Sequence, residues 1–505
     1  MKRLALIASL LTALLSIAHS AGAVETVALP ANDHATVSLA LRFRAGAVED
    51  PPGKAGLTAL TARLMAEGGT KALDSKALLE TLFPMATEVH VRTDKELTTF
   101  YTTVHQDHLS KMISILTDVV AHPRWDVKEF NRLRDSTVND VEKRLRQGDD
   151  ENLGKESLWE LLYSGHPYGR LTIGHAADLR AITLEDCKAQ AAKVFALDRL
   201  TIGLAGGYSK DLPQKLQKAL AGLPKSSAAP AAIAPQPAGK PRFRIVEKDT
   251  ASTAISLGFP WSLAHGSPDF VAMSVARSAF GEHRQFNGRL MQRLREMRGL
   301  NYGDYAYIEY FQQDGYDAAT AQTGRARHEQ VFSIWLRPVQ NENRLFALRA
   351  ALYELKRSLG DEPFSDAEVA ATKGFLDGYI LLFAQTDERK LGYALDDHFL
   401  GTKSFLADWR ARLAGVTAAD VNAAWRKWID PAKLQIILVT PNAADVKQSI
   451  VSNRPTPMHY QKDAQGKVAP KPKELLATDA QVERFPFGAA GDADVEIVPV
   501  EKLFQ

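Results

Sequence analysis

One stretch of this chain is written twice. Residues 182–204 (ITLEDCKAQAAKVFALDRLTIGL) and 416–438 (VTAADVNAAWRKWIDPAKLQIIL) align without a gap, 234 positions apart. Each reads as a capped helix, a turn and an apolar strand, with Thr183 and Thr417 as good N-caps. A repeat of that length obliges the chain to fold as two similar halves. Each half also opens on an alternating strand, Val37 to Phe43 and Ala254 to Phe259. Long amphipathic helices follow, about Val127 to Gln147 and Asp366 to Gln385. Mixed strands and helices predict an α+β fold, with a mixed β-sheet covered by helices in each half.

The expected boundaries follow from composition. Residues 1–23 read as a secretory signal: Lys2 and Arg3, an apolar run from Leu4 to Ala18, then Ala21-Gly-Ala23 as the cleavage site. That run is too short to span a bilayer, and no later stretch is long and apolar enough, so no stable membrane insertion is expected. The reading predicts an exported protein, placed in the periplasm. Residues 24–222 form the first domain and 242–450 the second. Between them, residues 223–241 are rich in Ala and Pro without apolar periodicity, which reads as an extended linker. Residues 451–505 carry Pro455, Pro457, Pro470 and Pro472 and then short apolar pieces such as Val495 to Val500. They read as an extended arm against the body or a partner, with a solvated tail as the alternative. A net charge of +2 with no basic block excludes a dedicated nucleic-acid surface. Cys187 is the only cysteine, so no internal disulfide forms; it reads as a small buried residue.

The chemistry concentrates in two places. The first is Gly46-Ala-Val-Glu-Asp-Pro-Pro-Gly53 through Gly56-Leu-Thr-Ala59-Leu-Thr-Ala62-Arg63 to Gly69-Thr70, a Gly/Pro turn that opens a helix. It resembles the signature of the pitrilysin/insulinase family of zinc metallopeptidases, in which the helix reads His-x-x-Glu-His. Two His at i and i+4 share one helix face and reach one metal, and a Glu between them serves as base. Here the His positions hold Ala59 and Arg63, and the Glu position holds Ala62. The resemblance places the third ligand at Asp140 and a supporting carboxylate at Leu133. Alanine offers no lone pair, and Arg63 sets a fixed positive charge where a dication would lie. No cofactor is therefore expected in this chain.

The second place is Leu290-Met-Gln-Arg-Leu-Arg295-Glu-Met-Arg-Gly299-Leu-Asn-Tyr302. It is similar to the family's C-terminal motif. The resemblance implies that Arg295 and Tyr302 hold substrate backbone and stabilise a developing oxyanion. The residues suit that task, since a guanidinium and a phenol both donate to an oxygen gaining charge. The plain alternative makes Arg295 a surface charge and Tyr302 a core-edge residue at a helix-to-strand junction. Phe280 to Leu290 reads as a polar helix entry, with a peptide-contacting loop as the alternative. His105-Gln-Asp-His108 reads as a strand-to-helix junction, His166-Pro-Tyr-Gly169 as a packing element, and Gln147 to Glu151 as a helix end with a solvated loop.

Taken with the resemblance, these residues point to the metal-free subunit of a two-chain zinc endopeptidase. Its partner would be a homologous subunit carrying His-x-x-Glu-His and the zinc, and its substrate an unfolded peptide. The alternative is a non-catalytic structural or peptide-binding protein of the same fold.

Overall fold

A computed structural model describes residues 24–31, 33–226, 228–310, 326–488 and 491–505. The expected signal segment lies outside them. The first half holds five strands: β1 (Glu25–Pro30), β2 (Thr36–Phe43), β3 (His90–Thr93), β4 (Thr98–His105) and β5 (Leu200–Gly206), in the order β1-β5-β2-β4-β3. The second holds β6 (Arg242–Glu247), β7 (Ser252–Trp261), β8 (Asn301–Tyr307), β9 (Gln330–Gln340), β10 (Gln435–Thr440) and β11 (Val495–Pro499). Its order is β11-β6-β10-β7-β9-β8, so strands β6 to β10 reproduce β1 to β5 one for one. In both sheets the first strand runs parallel to the last of the repeat, and the other pairings among β1 to β10 are antiparallel. The written repeat is visible in detail: Thr183 and Thr417 each form a reciprocal capping box with Asp186 and Asp420.

Period-two alternation sorts the side chains to two faces. In β2, Val37, Leu39, Leu41 and Phe43 enter the first half's own core, under helices such as Leu109–Ala121. The opposite face of that sheet presents Ala40, Gly203 and Ala205. These small residues admit Leu391 and Leu395 of the helix Asp387–Leu400, which belongs to the second half. A side chain at Gly203 would meet Leu395 Cδ1 at 2.8 Å. The second half is covered in the same way. Its alternate residues Ala254, Ile437 and Val439 pack against Leu153 and Leu158 of the helix Asp150–Leu162, which belongs to the first half. Each half thus lends the other one helix.

Buried charge pairs cross the same seam. Arg42 donates to Asp396 at 2.7 Å, with about 4% of either side chain exposed. Arg327 meets Asp94 through Nε at 2.7 Å and Nη2 at 2.5 Å, and its guanidinium lies 3.7 Å from the Tyr310 ring centre.

The segment that read as an extended arm also holds a helix, Lys473–Val482, whose Val482 is buried in the second half's core. β11 extends the second sheet in parallel with β6, and Arg244 donates to Glu496 at 2.7 Å. The chain then crosses to the first half, where Leu503 and Phe504 are buried and Ala176 N–H donates to the Phe504 carbonyl. Gln147 to Glu151 corrects its sequence reading. It is a one-residue break between helices: Asp149 caps the second, accepting from Asn152 N–H, and Asp150 and Glu151 take Lys248 and Arg337 from the other half. Charges that read as solvated are used across the seam. Cys187 is buried, which pushes its thiol up to about 11.

Candidate functional site

The helix Leu57–Glu67 owes its start to Asp50. The Asp50 carboxylate accepts from Gly56 N–H and Thr58 N–H, both at 2.8 Å, and from the Thr58 hydroxyl at 2.6 Å. Burial pushes Asp50 up to about 6 against the pull of those three donors. Gly56 is required at φ +92°, where an added Cβ would lie 2.6 Å from Gly174 Cα. Leu57, Leu60 and Leu64 anchor the helix in the core.

Ala59 and Arg63, one turn apart, face a cavity of about 500 Å³. Asp140 lines it too, at the start of a π-helical turn, Asp140–Leu145. The sequence-predicted degenerate positions are therefore brought together, with one exception. Ala62 is fully buried in the apolar core beside Met65 and Ala66. The Arg63 guanidinium donates to Glu67 at 2.8 Å and to Thr137 Oγ1 at 3.3 Å, and stands 3.7 Å from Asp140. Leu133 is fully buried. These residues do not fit zinc: one carboxylate remains, and it is paired with a guanidinium. No group of three or more metal-ligating side chains exists among the described residues.

The second predicted place is also assembled. A π-helical turn, Met291–Glu296, carries Arg295 and ends at Gly299, whose φ is +67° and whose N–H donates to the Arg295 carbonyl at 2.7 Å. β8 then begins, bringing Tyr302 back so that its ring centre lies 4.9 Å from Arg295 Cζ. Tyr302 is 67% exposed, so the core-edge reading does not hold. Asp140 in the first place and Arg295 in the second both sit on π-turns, a local distortion often found at functional positions. Among the described residues the two places do not line the same cavity. Tyr310 is, among the described residues, the second half's contribution to the Arg63 cavity, whose lining includes neither Arg295 nor Tyr302.

The other motifs are structural. His105 ends β4 and its ring accepts from Asp107 N–H. His166 accepts from Tyr168 N–H, while the Tyr168 hydroxyl donates to Glu96. Phe280 and Gly281 close a helix, Phe270–Gly281; a loop follows, and the expected helix entry comes at Arg289 and Leu290, which lead into the turn that carries Arg295. Sequence reasoning missed Asp304. It lies buried in β8, accepts from Asn301 and is pushed up to about 8 by burial, against the pull of Asn301 and Arg295. It missed Lys95 as well, which is buried and donates to the Arg170 carbonyl at 2.5 Å; burial lowers it to about 8. No local pattern marks a charged residue as buried when its partners lie far along the chain.

Two family models match, one described as insulinase (peptidase family M16) over residues 26–175, the other as the peptidase M16 inactive domain over residues 181–375. The chain belongs to the insulinase-type M16 peptidase family. As an M16 protein it is similar to a Mycobacterium tuberculosis (strain H37Rv) protein described as an uncharacterized zinc protease. They are 23% identical over 344 residues, which is 67% of this chain and 74% of that one. It is 25% identical over 266 residues to the non-peptidase homolog YmxG of Helicobacter pylori, covering 52% of this chain and 60% of the relative. The M16 fold matches a crystal structure of a peptidase M16 inactive domain from Pseudomonas fluorescens. The TM-score is 0.74 at 22% identity, over 84% of this chain and 96% of that one.

Proposed function

We propose that this M16 protein is the metal-free subunit of a two-chain zinc endopeptidase of the cell envelope, exported through its N-terminal signal. Its partner is a homologous chain carrying His-x-x-Glu-His and the metal, and its substrates are unfolded peptides. This chain supplies part of the chamber wall and, in trans, Arg295 and Tyr302. One observation carries the reading: Tyr302 stands 67% exposed and stacked on Arg295, with no core to fill. Stacking fixes the guanidinium while leaving its N–H edge to donate. Two donors so placed suit the oxygen of a peptide carbonyl as charge develops on it.

The test is turnover of a quenched peptide by the reconstituted pair. Tyr302→Phe or Arg295→Ala should lower turnover about 100-fold, the usual worth of an oxyanion donor, with complex formation unchanged. Wild-type rates in both assembled variants would remove the catalytic role. The second reading, a non-catalytic binding or scaffold protein, is favoured by the Helicobacter pylori relative being described as a non-peptidase homolog. It predicts peptide binding with no turnover in the presence of any zinc-bearing homologue.

A further inference from the structure

Arg295 has a second aromatic neighbour. The Phe286 ring centre lies 5.0 Å from Arg295 Cζ, so the guanidinium is close to two rings, Phe286 and Tyr302. Phe286 is 51% exposed, and like Tyr302 fills no core. It sits in the loop that follows the helix Phe270–Gly281, two residues after Arg284.

Arg284 is an outlier in its own right. Its φ is +56°, a left-handed conformation that residues other than Gly, Asn and Asp seldom adopt. The turn is pinned on both sides. Glu282 accepts from His283 N–H at 3.0 Å, and Gln292 donates to the Phe286 carbonyl at 2.5 Å. Arg284 is exposed and makes no hydrogen bond or ion pair among the described residues. Its neighbour His283 packs with its ring centre 4.6 Å from that of Tyr305, so the turn lies against β8, the strand that carries Tyr302. The nearest carboxylate to Arg295 is Glu296, at 3.6 Å. Burial raises the Asp304 carboxyl against the pull of Arg295, which weakens it as a counter-charge. Strained backbone that projects an unpaired charge beside exposed rings is a pattern that marks ligand sites.

We propose that Arg284, Phe286, Arg295 and Tyr302 form one subsite that takes a carboxylate of an extended peptide with an apolar side chain beside it. The guanidinium groups supply paired N–H donors to the carboxylate, and the rings supply the apolar contact. The carboxylate comes either from the peptide's C-terminus or from an acidic side chain. The inference rests on the reading that Arg295 and Tyr302 face peptide, and it adds the chemical class of that peptide.

The test uses the full mature chain and fluorescence anisotropy with three labelled unstructured peptides. The first ends in Phe as the free acid, the second is its amide, and the third is the amide with Asp before the Phe. The free acid should bind wild type about tenfold more tightly than the amide, as expected for a charge-assisted hydrogen bond. Arg284→Gln should bring that ratio to about one, and Arg284→Lys should keep part of it. Phe286→Ala should weaken acid and amide alike and leave the ratio intact. The Asp peptide binding like the acid assigns an acidic side chain as ligand; binding like the amide assigns the C-terminus. Equal affinities for acid and amide in wild type, or a preference that survives Arg284→Gln, would overturn the proposal. If Tyr302→Phe lowers turnover in the pair while Arg284→Gln and Phe286→Ala bind as wild type, the proposed function stands and this subsite falls. If the acid preference depends on Arg284 but turnover ignores Tyr302→Phe, the subsite stands without the catalytic role.

Discussion

Arg63 and Arg295 are almost equally exposed, at 30% and 28% of their side chains, yet they end in opposite states. Arg63 is surrounded by oxygen: Glu67, Thr137 and Asp140 all lie within reach. Arg295 lies against two rings, with one carboxylate 3.6 Å away. Carboxylates occupy the N–H edge of a guanidinium, whereas an aromatic ring occupies its face and leaves the edge for another acceptor. The same side chain on one scaffold is therefore quenched in the first half and available in the second. Where metal ligands have been replaced, the replacement neutralised itself. Arg295, proposed above to face substrate, has only Glu296 to offset its charge at close range.

The comparison assumes that the two halves are held in one register, and the largest expected effect tests that assumption. Asp396→Ala leaves Arg42 buried without its partner, and breaking such a pair typically costs about 3–5 kcal/mol. Urea denaturation should show the loss, with a midpoint shift at constant slope. An unchanged midpoint would mean that the Arg42–Asp396 pair does not help to hold the seam.

A smaller effect sharpens the comparison on the Arg295 side. Asp304 is raised to about 8 in the folded chain, while an unfolded aspartate titrates near ~4. The folded state thus keeps a proton that the unfolded state has released. The contribution is complete below the unfolded value and is lost as pH rises through about 8. Stability should fall across that window by at most about 1.4 kcal/mol per pH unit. Asp304→Asn should flatten the profile and be more stable than wild type at the alkaline end. A wild-type profile that is already flat over the window would show that Asp304 is ionised in the fold.

The smallest effect is expected at Arg63. Its pairs are partly exposed, so Arg63→Met should change stability by less than about 1 kcal/mol. Metal analysis of the variant should still find far less than one zinc per chain. Restoring the whole motif is a different matter. Ala62→Glu would push a carboxylate into a fully buried apolar position, so Ala59→His, Ala62→Glu, Arg63→His, Asp140→Glu should destabilise the chain more than any ligand-position change alone. Tight zinc binding with unchanged stability in that variant would show that the site helix can rotate.

Much of this was legible in the residues. Thr183 and Thr417 announced the repeat because a capped helix and an apolar strand are local patterns. Val37 to Phe43 announced β2 by alternation, and the resemblance named Arg295 and Tyr302 without saying that the two side chains meet. What could not be read is which surface an amphipathic helix covers. The apolar face of Asp150–Leu162 says that something is buried and not that β7 and β10 of the other half do the burying. Nor does the apolar run at Val495 reveal β6 as its neighbour. Arg284 was invisible for a related reason: its unusual φ is imposed by contacts on either side of the loop and not by its own residue type.

The lent helices also set how this chain must fold. Neither sheet can cover its second face until a helix from the opposite end of the sequence has arrived, so neither half is complete as an autonomous folding unit. The decisive contacts are long in sequence, which slows folding and leaves aggregation-prone sheet faces open while the chain waits. Once the exchange is made, the same arrangement binds the halves as a non-covalent clasp: a cut in the Ala/Pro segment between them would sever the backbone without letting the two pieces drift apart.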